Sequence, residues 1–213
     1  MLKNISIIIK QDIKLALRQS SGVVNTLGFF IISSALFAFA MGPDPENLKI
    51  IGLSVIWVCA LLASLLSIKN IFQQDYEDGT LAQIYLQGVL LESLVIGKLI
   101  SHWLISALPI IFITPLIAIL FNIEEMIIAL LLSLLAGTPT ICVIGAFGSG
   151  LTLAVKNGTI LSAVIILPLY IPILIFGVTA ANGSLSMLFA ILLLLVPIFT
   201  FATSSALKYA LED

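Results

Sequence analysis

The chain has 213 residues, 61% of them hydrophobic and 9% charged, against roughly 25% charged in ordinary globular domains. That composition excludes a soluble domain, and a formal net charge of -2 leaves no basic surplus for nucleic acid. The expected fold is an all-α polytopic membrane protein, a single transmembrane domain over 1–213.

Residues 1–20 are patterned before the first long apolar run. At 100° per residue Lys3, Lys10, Lys14 and Arg18 share one narrow face, while Leu2, Ile5, Ile9, Ile13, Ala16 and Leu17 occupy the other side. This predicts an amphipathic helix lying on the inner membrane surface, its cations toward lipid phosphates or solvent. Asp12 falls among the apolar residues, as an acid held by a neighbouring lysine or as a contact to another protein. The run that follows ends in Ala38-Phe39-Ala40, which has the A-x-A form of a signal-peptide site. It is longer than a signal core of roughly 7–15 residues, and we read it as a span.

Six runs reach the roughly 20 apolar residues that cross a bilayer: near 23–42, 49–68, 95–121, 126–155, 159–181 and 186–207. Positive residues near span ends are preferentially cytoplasmic. An internal N-terminus puts Lys3, Lys10, Lys14, Arg18, Lys69, Lys98, Lys156 and Lys208 inside and only Lys49 outside. Both termini are then cytoplasmic. The external connections are GPDPE (42–46), NIEE (122–125) and ANGS (181–184), and the one sizeable loop, 69–94, is internal.

That loop carries FQQDYEDGTLAQIYLQG (72–88). Thr80-Leu81-Ala82-Gln83 fits a capping box, with the threonine hydroxyl accepting from the Gln83 amide, so a helix should start at Leu81. Gly88 offers a left-handed stop after about two turns. Asp75, Glu77 and Asp78 sit near the helix's positive end. Leu81, Ile84 and Tyr85 share a face by i, i+3, i+4 spacing. So short a helix needs a support, from the membrane surface, the span ends or a second protein's groove.

Several chemistries are missing. The sole Gly-Lys pair, Gly97-Lys98, lacks the rest of a phosphate loop, so the chain cannot hydrolyse ATP by that route. No metal spacing and no nucleophile with a neighbouring base appears. Every Asp, Glu, Lys and Arg can be placed at a span end or in a loop, which argues against a self-powered carrier. Pro109 and Pro115 in the third span and Pro168 and Pro172 in the fifth are expected to kink rather than break their helices. Gly137, Gly145, Gly148 and Gly150 of the fourth span permit close helix approach. Cys59 and Cys142 read as buried hydrophobes. His102, the only histidine, bonds a neighbouring helix or headgroup, or ligates a metal or haem iron.

The stretches KQDIKLALRQS (10–20), GPDPE (42–46), IWVCALLASLL (56–66), FQQDYEDGTLAQ (72–83), KLISHWLISALPIIFITPL (98–116), GTPT (137–140) and LPLYIPILIFG (167–177) together give the chain a close resemblance to the CcmB family. That family supplies the haem-exporter-type membrane subunit of the cytochrome c maturation system. DGTLAQ alone is similar to a pattern seen across ABC-2-type permeases. The resemblance implies a six-span exporter domain with an N-terminal interfacial helix and a coupling helix between spans 2 and 3, in a bacterial inner membrane or an organellar one. It implies a separate CcmA-like ATPase carrying ATP and Mg²⁺ on the cytoplasmic face, with CcmC, CcmD and the haem chaperone CcmE as further partners and a homodimer as one arrangement. On this reading the chain is no enzyme and holds no cofactor of its own. ATP hydrolysis would drive haem export or release of haem-loaded CcmE. Leu81, Ile84 and Tyr85 would then contact the ATPase groove, with Asp75, Glu77, Asp78, Gly79, Thr80 and Gln83 around them. His102 and Trp103 match the family's His-Trp pair, with His102 a candidate haem ligand. The competing readings are an ATPase-independent carrier or channel, or a membrane scaffold.

Overall fold

The computed structural model describes residues 2–18, 21–68, 71–155, 158–181 and 185–212. The sequence readings of Lys69, Lys156 and most of the ANGS connection fall outside them. No strand occurs among the described residues. The helices are α1 (Leu2–Arg18), α2 (Ser21–Met41), α3 (Pro45–Ile68), α4 (Gln73–Glu77), α5 (Thr80–Leu86), α6 (Leu91–His102), α7 (Leu108–Leu120), α8 (Ile127–Leu151), α9 (Gly158–Ala181) and α10 (Ser186–Glu212). A five-residue π-helical turn, Trp103–Ala107, joins α6 to α7, and a 3₁₀ turn, Glu124–Met126, precedes α8.

Among the described residues, six helical segments are long and apolar enough to cross a membrane: Ser21–Met41, one that begins with Pro45–Ile68, Leu91–Leu120, Glu124–Leu151, Ile160–Ala180 and Ser186–Glu212. The third begins earlier than the apolar run near 95 predicts, because Leu91–Val95 are already helical and largely buried. The extension moves Lys98 inward. Seven residues at about 1.5 Å each put it roughly 10 Å from the start of its helix. Lys49 pairs with Glu125 at 3.0 Å, which brings the GPDPE and NIEE ends together on one side, as the orientation requires.

α8 is the hub, packing most extensively against α10 and α9. In lipid, helices associate through close van der Waals fit and not through the hydrophobic effect, so small residues mark the contacts. A Cβ on Gly145 would fall 2.6 Å from Ile68 Cγ1 of α3 and 2.9 Å from Tyr170 Oη of α9. The Tyr170 hydroxyl donates to the Ile141 carbonyl at 3.0 Å, a bond across the α8–α9 contact. Trp57 is fully buried and donates from Nε1 to Ser133 Oγ at 3.2 Å, tying α3 to α8. Cys59 and Cys142 are free and buried.

The prolines do not break their spans. Pro168 and Pro172 lie inside a continuous α9, and Pro115 inside α7. The irregularity in the third span comes just before Pro109, in the π turn, where one extra residue per turn re-aims the side chains that follow.

α1 also packs on the bundle, which the amphipathic pattern does not specify. Ile8 is buried against α6, where a Cβ on Gly97 would come 3.0 Å from Ile8 Cγ2. Lys10, Lys14 and Arg18 remain exposed. The helix keeps its basic outer face, but part of its apolar side is spent on the glycine notch of α6 instead of lipid.

Candidate functional site

The polar segment between spans 2 and 3 folds as two short helices, α4 and α5, separated by Asp78 and Gly79. Gly79 has φ 73°, the left-handed conformation that glycine adopts without penalty, and this reversal sets α5 on a new axis. The capping box does not form. Gly79, not Thr80, is the N-cap; Thr80 is the first helical residue and no side chain caps the end. The first bond, from the Gln83 amide to the Gly79 carbonyl at 3.1 Å, is purely backbone. Gly88, at φ 74°, stops the helix as its sequence position predicts.

The structure divides the residues grouped by sequence. Leu81 is 1% exposed and belongs to the apolar core, with Ile84 and Tyr76 packed against it. The chain's own core therefore takes the apolar face of α5, with α4 as the element it packs on most, and Leu81 is not available as a groove contact. Tyr85 donates from its hydroxyl to Glu212 Oε1 of α10 at 3.1 Å, so the loop also touches the end of the last span. Glu77, Asp78 and Gln83 are exposed, while Gly79, Thr80, Ile84 and Tyr85 are half-buried. Gln83, Leu86 and Gln87 form the outward face of α5 by i, i+3, i+4 spacing, and Leu86 is 83% exposed.

Asp75 turns inward. Its carboxylate pairs with Lys98 of α6, and the same ammonium donates to Asp12 Oδ1 of α1 at 2.8 Å. All three side chains are largely buried. Of the two readings of Asp12, the lysine-held acid is the one seen here. Burial pushes the Asp12 carboxyl up from its ordinary range, with Lys98 pulling it down and the Asp75 charge adding to the rise. A buried pair of this kind is costly to leave half-made, by about 3–5 kcal/mol.

The cluster forms part of the lining of a cavity of about 600 Å³ between α1, α2, α3, α4 and α6, a volume in the range that holds small molecules. Ser67, Ser106 and His102 also line it. Ser67 Oγ donates to the Ser64 carbonyl at 2.8 Å and lies 2.8 Å from Ser106 Oγ and 3.2 Å from His102 Nε2. Ser67 Oγ thus sits between a carbonyl, a hydroxyl and the imidazole, and the His102 tautomer sets which of Nε2 and Ser67 donates. Trp103, next in sequence, points the other way and donates from Nε1 to Thr138 Oγ1 of α8 at 2.9 Å. The His-Trp pair thus splits between the cavity wall and helix packing.

A family model described as "CcmB protein" matches residues 3–210. The chain belongs to the CcmB family. Relatives include heme exporter protein B of Haemophilus influenzae, 36% identical over 97% of this chain and 98% of the relative. The protein of the same name from Pseudomonas aeruginosa is 41% identical over 84% and 81% respectively. That of Escherichia coli strain K12 is 36% identical over 96% and 98%.

In this CcmB-family chain the residue that sequence reasoning overlooked is Lys98, taken for a span-end lysine. Its place inside the third apolar run, 95–121, was the available signal, because an ionisable group inside a span is a functional candidate by default. Ser67 and Ser106 carried no signal, since single serines in spans are common and only the fold pairs them.

Proposed function

We propose that this CcmB-family chain is the membrane permease subunit of an ABC-type haem exporter serving cytochrome c maturation, in a bacterial inner membrane with both termini cytoplasmic. A CcmA-like ATPase supplies ATP hydrolysis, with CcmC, CcmD and the chaperone CcmE as the other partners. The step the ATPase drives is haem export or release of haem-loaded CcmE. The observation that carries the reading is α5. Its inner face is rooted in the chain's own core through Leu81 and tied to the end of α10 through Tyr85, and its outer face presents Gln83, Leu86 and Gln87 beside the acids Glu77 and Asp78. A force applied to that outer face reaches spans 2 and 3 directly.

The docking surface proposed here is that outer face, with Leu86 added and Leu81 and Asp75 removed from the set the sequence suggests. Purified chain in liposomes tests the reading: ATP-dependent haem movement should require the ATPase subunit. Movement driven by an ion gradient alone would instead establish a carrier, for which the buried Lys98 cluster would be the ion-handling group.

His102 is the residue proposed to ligate haem iron within the cavity. Nε2 is bonded to Ser67, so ligation through it means giving up one hydrogen bond, about 1 kcal/mol. Ser67→Ala should therefore strengthen haem binding several-fold and His102→Ala abolish the haem absorbance band of the purified chain. Equal spectra for parent, Ser67→Ala and His102→Ala would assign His102 to packing alone.

A further inference from the structure

Lys98 is shared by three parts of the chain whose attachments differ. α1 has a second anchor, Ile8 in the Gly97 notch, so Asp12 is firmly placed. α4 is held more lightly: Tyr76 packs against the core only in part, no residue of the helix is fully buried, and no side chain caps it. Asp75 is thus the polar tie of α4 to span 3, in a segment flanked by buried Ile71 and Phe72 on one side and the Gly79 reversal on the other. Asp12, Asp75 and Lys98 all line the cavity, as does Gln74 of α4, which is exposed.

One ammonium between two carboxylates makes a cluster with a surplus negative charge. If Asp75 leaves, it regains water beside exposed Gln74 and Glu77, and Lys98 stays neutralised by Asp12. No bare buried charge results, so the costly intermediate of most buried ion pairs is avoided. If Asp12 left instead, α1 would have to leave its notch with it.

We propose that Asp75–Lys98 is a releasable clasp that holds α4 closed against the cavity, with Asp12 as the standing partner of Lys98 when the clasp opens, so that displacing the cytoplasmic loop widens the cavity. This deepens the proposed function, resting on the loop as the element the ATPase moves.

Cysteine accessibility in the full-length chain in lipid nanodiscs tests it, with Ser106→Cys as reporter. Ser106 lines the cavity and is buried, and both native cysteines are buried. A bulky polar maleimide should label Ser106→Cys slowly, and adding Asp75→Asn should speed this about tenfold or more by populating the open form. Asp12→Asn, which leaves Asp75 as the sole partner, and Lys98→Arg should both stay slow. Lys49→Met, removing the exposed pair at the other end of the spans, serves as the control and should match the parent. Equal rates with and without Asp75→Asn would overturn the clasp, as would labelling that spreads to Cys59 and Cys142, the mark of general loosening. Neither ATPase nor haem enters the measurement, so failure of haem export in liposomes and failure of the clasp are separate results.

Discussion

Leu86→Asp is expected to lower association with the ATPase subunit about 30-fold or more, as loss of a central apolar anchor does, while the chain's folded yield in the membrane stays at the parent level. The two halves of that expectation come from one number: Leu86 is 83% exposed, so its side chain contributes little to the chain's own packing. It is also the only large apolar residue on the outward face of α5 beyond the membrane spans, among polar Gln83 and Gln87. An exposed leucine in such a position gains most from a partner's groove.

Leu81→Asp should behave in the opposite way. Leu81 is 1% exposed and sits in the core with Ile84 against it, so a carboxylate there is buried without a partner and folded yield falls. Copurification from membranes would drop for both variants, but only Leu86→Asp should drop after normalising to folded chain recovered. If normalised ATPase recovery is unchanged for Leu86→Asp, the outer face of α5 is not the docking surface.

The contrast between Leu81 and Leu86 marks where sequence reasoning stopped. Spacing groups Leu81, Ile84 and Tyr85 on one face and so identifies an amphipathic helix, but the same pattern serves a helix docked on its own spans and one docked on a partner. Only the fold decides, because burial of Leu81 and the bond from Tyr85 to Glu212 depend on how the loop folds back on the bundle. The capping box failed for a local reason: Gly79 takes the left-handed conformation and the N-cap position together, leaving Thr80 inside the helix. The spans themselves were legible, since length and apolarity are imposed by the bilayer and need no tertiary information. The ion cluster was not, because Asp12, Asp75 and Lys98 lie in three segments that each explain their charge by themselves as a surface or loop residue. His102 could be picked out as a single residue, yet its bond to Ser67 depends on how α3 meets the π turn.

Gly177→Ala is expected to destabilise the bundle by about 1–3 kcal/mol, the usual cost of overpacking, although it adds a single methyl in a helix where alanine is otherwise the better former. The reason is Trp57. Its indole is fully buried between α8 and α9, and a Cβ on Gly177 would fall 2.5 Å from Cζ2, 2.6 Å from Cη2 and 2.7 Å from Cε2. On the α8 side a Cβ at Gly137 would run into Cη2 and come 3.2 Å from Cζ3. The ring is rigid and its Nε1 is tied to Ser133 Oγ, so it cannot yield as the free end of an isoleucine would. Gly148→Ala supplies that comparison: its closest contacts would be Cγ1 and Cδ1 of the Ile166 side chain, which another rotamer can move away. The thermal midpoint of the detergent-solubilised chain should therefore fall further for Gly177→Ala than for Gly148→Ala. Trp57→Phe shortens the ring toward α9, so combining it with Gly177→Ala should cost less than the two separate losses added together. Strict additivity would mean that the indole does not press on Gly177, and that α9 takes its place beside α3 from other contacts.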